Sequence, residues 1–477
     1  MKPILASIAL ACWSAEALGQ SATRPASAPA AGVEEKGPRI IRLTVRPAAE
    51  ARPALRYRLL PTAPEREAGN AAALYHIAIE VLPDNVSELD NRMRDWLEVP
   101  PADLPLAEAR KALSAYHAAL RQVQLAAFRE HCDWDLPVRS EGFNLLMPHL
   151  SGCRRLARAL ALKGRLEIAE GRREEALKTI KTGLAMARQT AQGSFLVGDL
   201  VGMSTADVML DQAQELIQVP EAPNFYWALA DLPRPFIDLR EAMEWEGSMT
   251  YLNHPELRDP RSARLSPGEW RNLMTDLTVT ASQVTDTERE KMRLSLVVAA
   301  IQMYPRAKRY LVQTGVPEQE VEAMPVHQAL AVYSLEEYWR WRDDLFKLFS
   351  LPYWQAHDRF REWERAFMTV RVGEGRANPF FHLLPALDRA VFYQARLDRR
   401  IAVLRVIEAV RAYAAGHDGA PPPTLEALRV VPLPNDPVTG RPFAYEATAD
   451  GFIIDARAPS GFRPDEGWYR YVVTIRK

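Results

Sequence analysis

Apolar and polar residues alternate over only a few short stretches of this chain; over most of its length the apolar positions recur every three or four residues. The run Arg39 to Arg46 (RIIRLTVR) places Ile41, Leu43 and Val45 on one face, and Ala54 to Leu60 (ALRYRLL) is a second alternating run. Pro47, Pro53 and Pro61 bound them, so two short strands are predicted. From Asn70 the period becomes helical and stays so to about residue 415. Ser266-Pro267-Gly268-Glu269, Thr285 with Glu288, and Ser334 with Glu337 have the spacing of capping boxes, in which side chains satisfy free backbone donors. These predict three helix starts. Breaks are expected at Pro100-Pro101, Pro137, Pro220 to Pro223, Pro233 to Pro235, Pro255 to Pro260, Pro317 and Pro352, because proline lacks a donor and clashes with the preceding turn.

The segment Leu160 to Arg188 (LALKGRLEIAEGRREEALKTIKTGLAMAR) has Gly164, Gly171, Ala176 and Leu184 where two helices approach before a tight turn. It resembles one tetratricopeptide repeat. A step of 34 residues in either direction recovers no second copy, so an antiparallel helix pair is expected rather than an array. Its surroundings are basic, with Arg154, Arg155, Arg158, Lys163, Arg165, Arg172, Arg173, Lys178, Lys181 and Arg188. A charge run of this kind on helices predicts a solvated face.

Residues 383–477 carry the most informative pattern. Leu387, Val391, Leu397, Leu404, Ile407 and Val410 form one stripe of a long helix, with Gly416 as its stop. The alternating runs RPFAYEA, GFIIDAR and WYRYVVTI predict a three-stranded antiparallel meander, its first turn at Asp450-Gly451. Between helix and strands stand Thr424-Leu425-Glu426, Leu433-Pro434, Asp436-Pro437, Thr439-Gly440, Pro442-Phe443 and Tyr445. Pro434, Asp436, Pro437, Gly440, Asp450 and Gly451 are the structural turn motif. This string resembles the globular region of type II secretion pseudopilins, which implies a long helix packed on a small sheet. The departures bear on function. The family assembles through a membrane-embedded N-terminal helix, whereas here the helix lies at the far end and carries Arg399, Arg400 and Arg405. Where the family holds calcium, this chain has Pro459 to Glu466, and Asp465 and Glu466 are too few ligands for the six to eight oxygens calcium takes.

At the N-terminus, Met1-Lys2, the apolar run Ile4 to Trp13 and small residues up to Gly19 predict a secretory signal. The division expected is a signal peptide at 1–19, a disordered linker at 20–37, a β segment at 38–66, a helical domain at 67–382 and the pseudopilin-like α+β module at 383–477. The fold class is therefore mainly α, with helical hairpins or a bundle between a short N-terminal β segment and a C-terminal α+β module. A lipid anchor at Cys12 is disfavoured by the short apolar run before it. No other window approaches the roughly 20 apolar residues of a membrane-spanning helix. The order of strings, NAAALY, HCDWDLP, the hairpin, APNFYWALADLPRP and the tail, resembles exported proteins of planctomycete bacteria, a resemblance that implies export and architecture and no activity. Composition adds little: of 477 residues 48% are hydrophobic and 25% charged, and 60 basic against 61 acidic residues leave a net charge of −1. No global field draws the chain to nucleic acid or to an anionic membrane.

For chemistry, Cys132 and Cys153 remain once a leader with Cys12 is removed, and two readings stay open: a disulfide in an oxidising compartment, or two buried free thiols. The nine histidines form no HxH, HxxxH or HExxH, so no metal site and no cofactor are expected. His131-Cys132-Asp133-Trp134-Asp135 is the densest local cluster, and Glu241, Glu244 and Glu246 surround Trp245. Aromatic residues crowd Tyr333 to Phe367; Tyr338, Trp341, Leu345 and Leu348 fall on a core stripe, while Trp339, Phe346 and Trp354 lie off it and suggest a groove. No catalytic residue is assigned. The expectation is an exported, non-enzymatic interaction or scaffold protein of the cell envelope, periplasmic or extracellular, with envelope proteins as partners. The alternatives are an accessory component of a type II secretion or pilus-like apparatus, and a hydrolase of an extracellular or cell-wall polymer using Glu241, Glu244, or His131 with Asp133.

Overall fold

The long helical period is realised as helices that make up 63% of the chain. The structure, a computed structural model, describes residues 37–84, 87–142, 145–193, 195–282, 286–373, 378–384 and 387–476. The expected signal peptide and nearly all of the linker lie outside the described residues. The first half runs β1 (Arg39–Val45), β2 (Glu67–Asn70), α1 (Ala71–Glu80), α2 (Ser87–Glu98), α3 (Leu106–Ala115), α4 (His117–Ala127), β3 (Arg129–His131), α5 (Val138–Glu141), α6 (His149–Ala169), α7 (Arg173–Thr190), α8 (Leu196–Leu216) and α9 (Tyr226–Ala230). Then follow α10 (Arg240–Asn253), α11 (Pro267–Ser282), α12 (Asp286–Gln313), α13 (Glu318–Ala323), α14 (Val326–Phe346), α15 (Tyr353–Val372) and α16 (Asp388–Ala415). The chain ends with β4 (Ala444–Thr448), β5 (Gly451–Ala456), α17 (Pro464–Gly467) and β6 (Tyr469–Ile475). No helix among the described residues is long and apolar enough to cross a membrane.

These elements fall into two units. The larger holds residues 37–135, 147–242 and 390–476, the smaller 136–146 and 243–389.

In the larger unit the alternating runs form one sheet in the order β1-β6-β5-β4. Strands β4, β5 and β6 make the expected antiparallel meander, and β1 joins it parallel to β6 in the register Arg39 opposite Tyr469 to Val45 opposite Ile475. Ala54 to Leu60, predicted as a second strand, is not one. Arg56 N–H closes a turn on the Pro53 carbonyl (3.0 Å), and Leu59 is buried, lining one crevice with Leu177, Ile180 and Leu404. With prolines at both ends, one apolar anchor outweighs the alternation. The β4–β5 turn is also displaced by one residue: it is Ala449-Asp450, and Gly451 already belongs to β5. There a Cβ would stand 1.9 Å from the Val473 carbonyl oxygen, so only glycine allows the strands to approach.

Helices α6 and α7 pack together across the turn 170–172, where Gly171 has φ +76°, and α8 packs on both. Gly183 permits that closeness, since a Cβ there would lie 2.1 Å from Met209 Sδ. The predicted stripe of α16 is buried throughout, and so are four charged residues of the same helix. Arg399, 1% exposed, donates from Nε and Nη2 to the Asp436 carboxylate (2.8 and 2.7 Å), and its Nη1 reaches the carbonyls of Ala456 and Gly467 (3.4 and 3.2 Å). Arg411 pairs with Glu408 (2.6 Å), Arg400 with Asp207 and Asp211 (2.9 and 2.6 Å), and Arg396 with Asp207 (3.0 Å). Burial pushes the Asp398 carboxyl up to about 7, only partly opposed by the Phe236 N–H that it accepts at 2.9 Å.

In the smaller unit Trp270, Leu335, Tyr338, Phe367 and Phe380 form the centre of a core cluster. Helix α11 begins at the predicted capping box: Ser266 N–H donates to Glu269 Oε2 (2.7 Å) and Glu269 N–H to Ser266 Oγ (3.3 Å). The box at Ser334 does not start a helix. Pro325 sets the start of α14 at Val326, leaving Ser334 buried mid-helix. The box at Thr285 lies outside the described residues.

Two outcomes are expected. Asp436→Ala leaves Arg399 buried without its carboxylate and should lower the unfolding free energy in urea by about 3 kcal/mol or more. The double variant Arg399→Met with Asp436→Leu should lose less. Because folding raises the Asp398 value, the neutral carboxyl is what the fold accommodates; that preference is fully present below about pH 4 and is lost as pH rises through about 7. Asp398→Asn should therefore raise the melting temperature at pH 8 by about 3 °C or more and leave it nearly unchanged at pH 4.

Candidate functional site

The residues singled out for chemistry are mostly framework. Cys132 and Cys153 are both buried free thiols, and burial pushes Cys153 up to about 12 and Cys132 higher still. Beside them Trp134 stacks on His149 (centroids 4.3 Å apart) and donates to the Gln189 carbonyl (3.2 Å). Burial, helped by the charge of His76, pulls His149 down to about 4, so its imidazole is neutral packing material at neutral pH. His131 is exposed; Asp133 turns the chain by accepting from the Asp135 N–H (2.9 Å), and Asn70 clasps the Asp133 backbone while capping α1 at Ala72. Glu241 and Glu244 are exposed on α10. The described residues contain no group of His, Cys, Asp and Glu that could hold a metal ion.

The aromatic segment is likewise consumed by packing. Tyr338, Leu345 and Leu348 are buried as predicted, but Trp339 packs on the same core and Phe346 sits edge-on to Phe349 (6.1 Å). Of the three off-stripe rings only Trp354, 47% exposed, faces solvent. The turn motif closes around Asp436: its carboxylate accepts from Val438 N–H (2.9 Å) and Thr439 Oγ1 (3.3 Å), and Gly440, at φ +70°, returns its N–H to the Asp436 carbonyl (2.7 Å). That carboxylate is the one that holds Arg399.

What the fold does assemble is a polar cleft of about 870 Å³ in the larger unit, walled by α2, α6, α8 and the start of β1. Arg158 and Arg165, two turns apart on α6, come from the basic run, and Arg94, Arg39 and Arg42 join them from α2 and β1. Arg165 is anchored. It donates to the Val99 carbonyl and to Gln212 Oε1 (3.3 Å), and it pairs with Glu215 at 3.7 Å. The acids of the cleft are largely engaged as well: Asp211 with Arg400 (2.6 Å), Glu215 with Arg165 and Gln218, and Asp465 with Arg463 (3.6 Å). Arg39, Arg42, Arg94 and Arg158 form no salt bridge among the described residues, although the Asp90 charge acts on Arg158 and Arg94 donates to Asn91 Oδ1 (3.2 Å); one acid of the lining, Glu98, is likewise without a salt bridge. Arg158 Nε is buried with no hydrogen-bond partner, and burial draws its guanidinium below the usual arginine value.

The basic run is a solvated face only in part: Arg172 and Lys178 are exposed, whereas most of its other cations are half-buried or buried. Lys163 donates to Thr179 (2.7 Å), Arg155 to Asp90 (3.0 Å) and Arg188 to the Phe236 carbonyl (2.8 Å), because α6 and α7 are covered on the sides that carry these cations. No family model matches the chain, and no curated protein or solved structure is similar to it. Arg158 and Arg165 belong to the basic run that is legible in the sequence. Arg39, Arg42 and Arg94 carry no local signal, since they lie more than 60 residues away and meet the other two only in the fold.

The thiols give a direct check. A chromogenic disulfide reagent should find Cys132 and Cys153 unreactive in the native protein, since the thiolate is the reactive form. Both should react in denaturant without added reductant; failure to titrate there would mean that they are bridged.

Proposed function

We infer that this protein is an exported, non-enzymatic interaction protein of the cell envelope, which holds another protein. The observation that carries the reading is the cleft and its surplus of unpaired guanidinium groups. Arg39, Arg42 and Arg94 are exposed and Arg158 is half-buried, so together they set up a local positive potential at the cleft that an anionic partner complements. The cleft is lined by guanidinium, amide, carboxylate and aliphatic groups, and the carboxylates of Asp211, Glu215 and Asp465 are already paired with arginines. The secretory pattern at residues 1–19 supports the compartment.

A second reading, an accessory role in a secretion or pilus-like apparatus, is favoured by the order of long helix, Asp436 loop and small sheet. Against filament assembly stands α16 itself, whose arginines are engaged within the chain.

Photo-cross-linking in the source envelope tests the reading. A benzophenone amino acid in place of exposed Ile40 or of exposed Trp354 should yield a higher-mass adduct from at least one position; recovery of monomer alone from both would sink it.

A further inference from the structure

One edge of the sheet opens beside the cleft, and the hydrogen bonds at the two ends of β1 define which of its groups face that way. Arg39 N–H donates to the Trp468 carbonyl (2.9 Å) and Arg476 N–H to the Val45 carbonyl (2.9 Å). In a parallel pair the bonding residues of a strand alternate. Odd-numbered residues of β1 thus bond to β6, and the even-numbered ones present their N–H and C=O groups to the other side, where β1 is the edge of the sheet. At the far end of that side the groups are used: Thr44 N–H donates to Gln218 Oε1 (3.0 Å) and the Arg46 carbonyl accepts from Arg411 Nε (2.8 Å). Pro38 has no N–H to offer. Ile40 and Arg42 are left with no backbone partner on this side among the described residues, and Ile40 is 47% exposed.

Edge strands are usually blunted, because a row of free backbone groups templates another strand. Here two residues are left open, and around them stand Arg39, Arg42, Arg94 and Arg158, none of them in a salt bridge among the described residues. An extended peptide satisfies the backbone groups whatever its sequence, whereas the arginines select carboxylates, which guanidinium groups bind in a planar, bidentate manner.

We propose that β1 and the arginine-lined cleft form a docking site for an extended acidic segment of a partner protein, which adds a short strand at Ile40–Arg42 and places its carboxylates on Arg39, Arg42, Arg94 and Arg158. This rests on the interaction reading above and names the chemistry of the partner. A second copy of this chain and a simple anion are the other occupants that the test separates.

The experiment is fluorescence anisotropy on the full chain with labelled Glu-Val-Glu-Val-Glu-Val as probe. The expected result is saturable binding about tenfold or more tighter than for Lys-Val-Lys-Val-Lys-Val. The double variant Arg42→Gln with Arg158→Gln should weaken it about tenfold or more, as should N-methylation of alternate peptide amides. Melting curves check that the double variant is folded; should it unfold, the exposed single variant Arg94→Gln gives the same reading with a smaller loss. Equal binding of the two peptides, or wild-type affinity in a folded variant, overturns the proposal. So does undiminished binding of the methylated peptide together with displacement by inorganic phosphate, which leaves an anion site only. A dimer in sedimentation velocity that the acidic peptide dissociates assigns the edge to a second copy and equally overturns it. Absent peptide binding with an adduct through Trp354 sinks this proposal alone; no adduct at either position sinks the interaction reading too.

Discussion

The larger unit turns on one buried ion pair. Arg399 projects from the middle of a helix into surroundings where an unpaired guanidinium costs several kcal/mol. Asp436 supplies both oxygens, and the same carboxylate closes the loop 436–440 by taking the Val438 N–H and the Thr439 hydroxyl. The remaining Arg399 nitrogen reaches the ends of β5 and α17. Helix, loop and sheet are thereby held to one geometry, and the loop's prolines and its glycine at positive φ serve to present a single aspartate.

The same accounting runs through the rest of the unit. Asp207 and Asp211 neutralise Arg396 and Arg400, and Glu408 is held between Arg411 and the Phe225 N–H. A net charge of −1 conveys none of this, because it sums over pairs already made. Once the acids that border the cleft are assigned to their partners, four arginines remain against one glutamate. The chain's near neutrality thus coexists with a local cationic surplus, and it is the local surplus that an incoming anion meets at contact range.

Much of the framework could be read in advance wherever the cause is local. The apolar stripe of α16, its stop at Gly416, the capping box at Ser266, the strand β1 and the Asp436 turn all depend on residues within a few positions of one another, and all are present. Local signals failed where a remote group competed. Ala54–Leu60 alternates like a strand, yet Leu59 is drawn into a crevice of helical side chains and Pro53 closes a turn. Ser334 and Glu337 have the spacing of a cap, yet Pro325 has already begun the helix. The off-stripe aromatics Trp339 and Phe346 are absorbed by a second packing layer that periodicity along one helix does not contain.

The sequence alone determined that this chain is mainly helical, that a long helix and a small sheet end it, and which short segments turn or stop, because propensity, capping and apolar period act over a few residues. Only the tertiary structure decided that the first described strand pairs with the last, that a basic run is covered over part of its length, and that arginines from α2, α6 and β1 share one cleft with an open strand edge. Those outcomes depend on which charges and backbone groups meet across tens to hundreds of residues, and a linear pattern holds no record of such meetings.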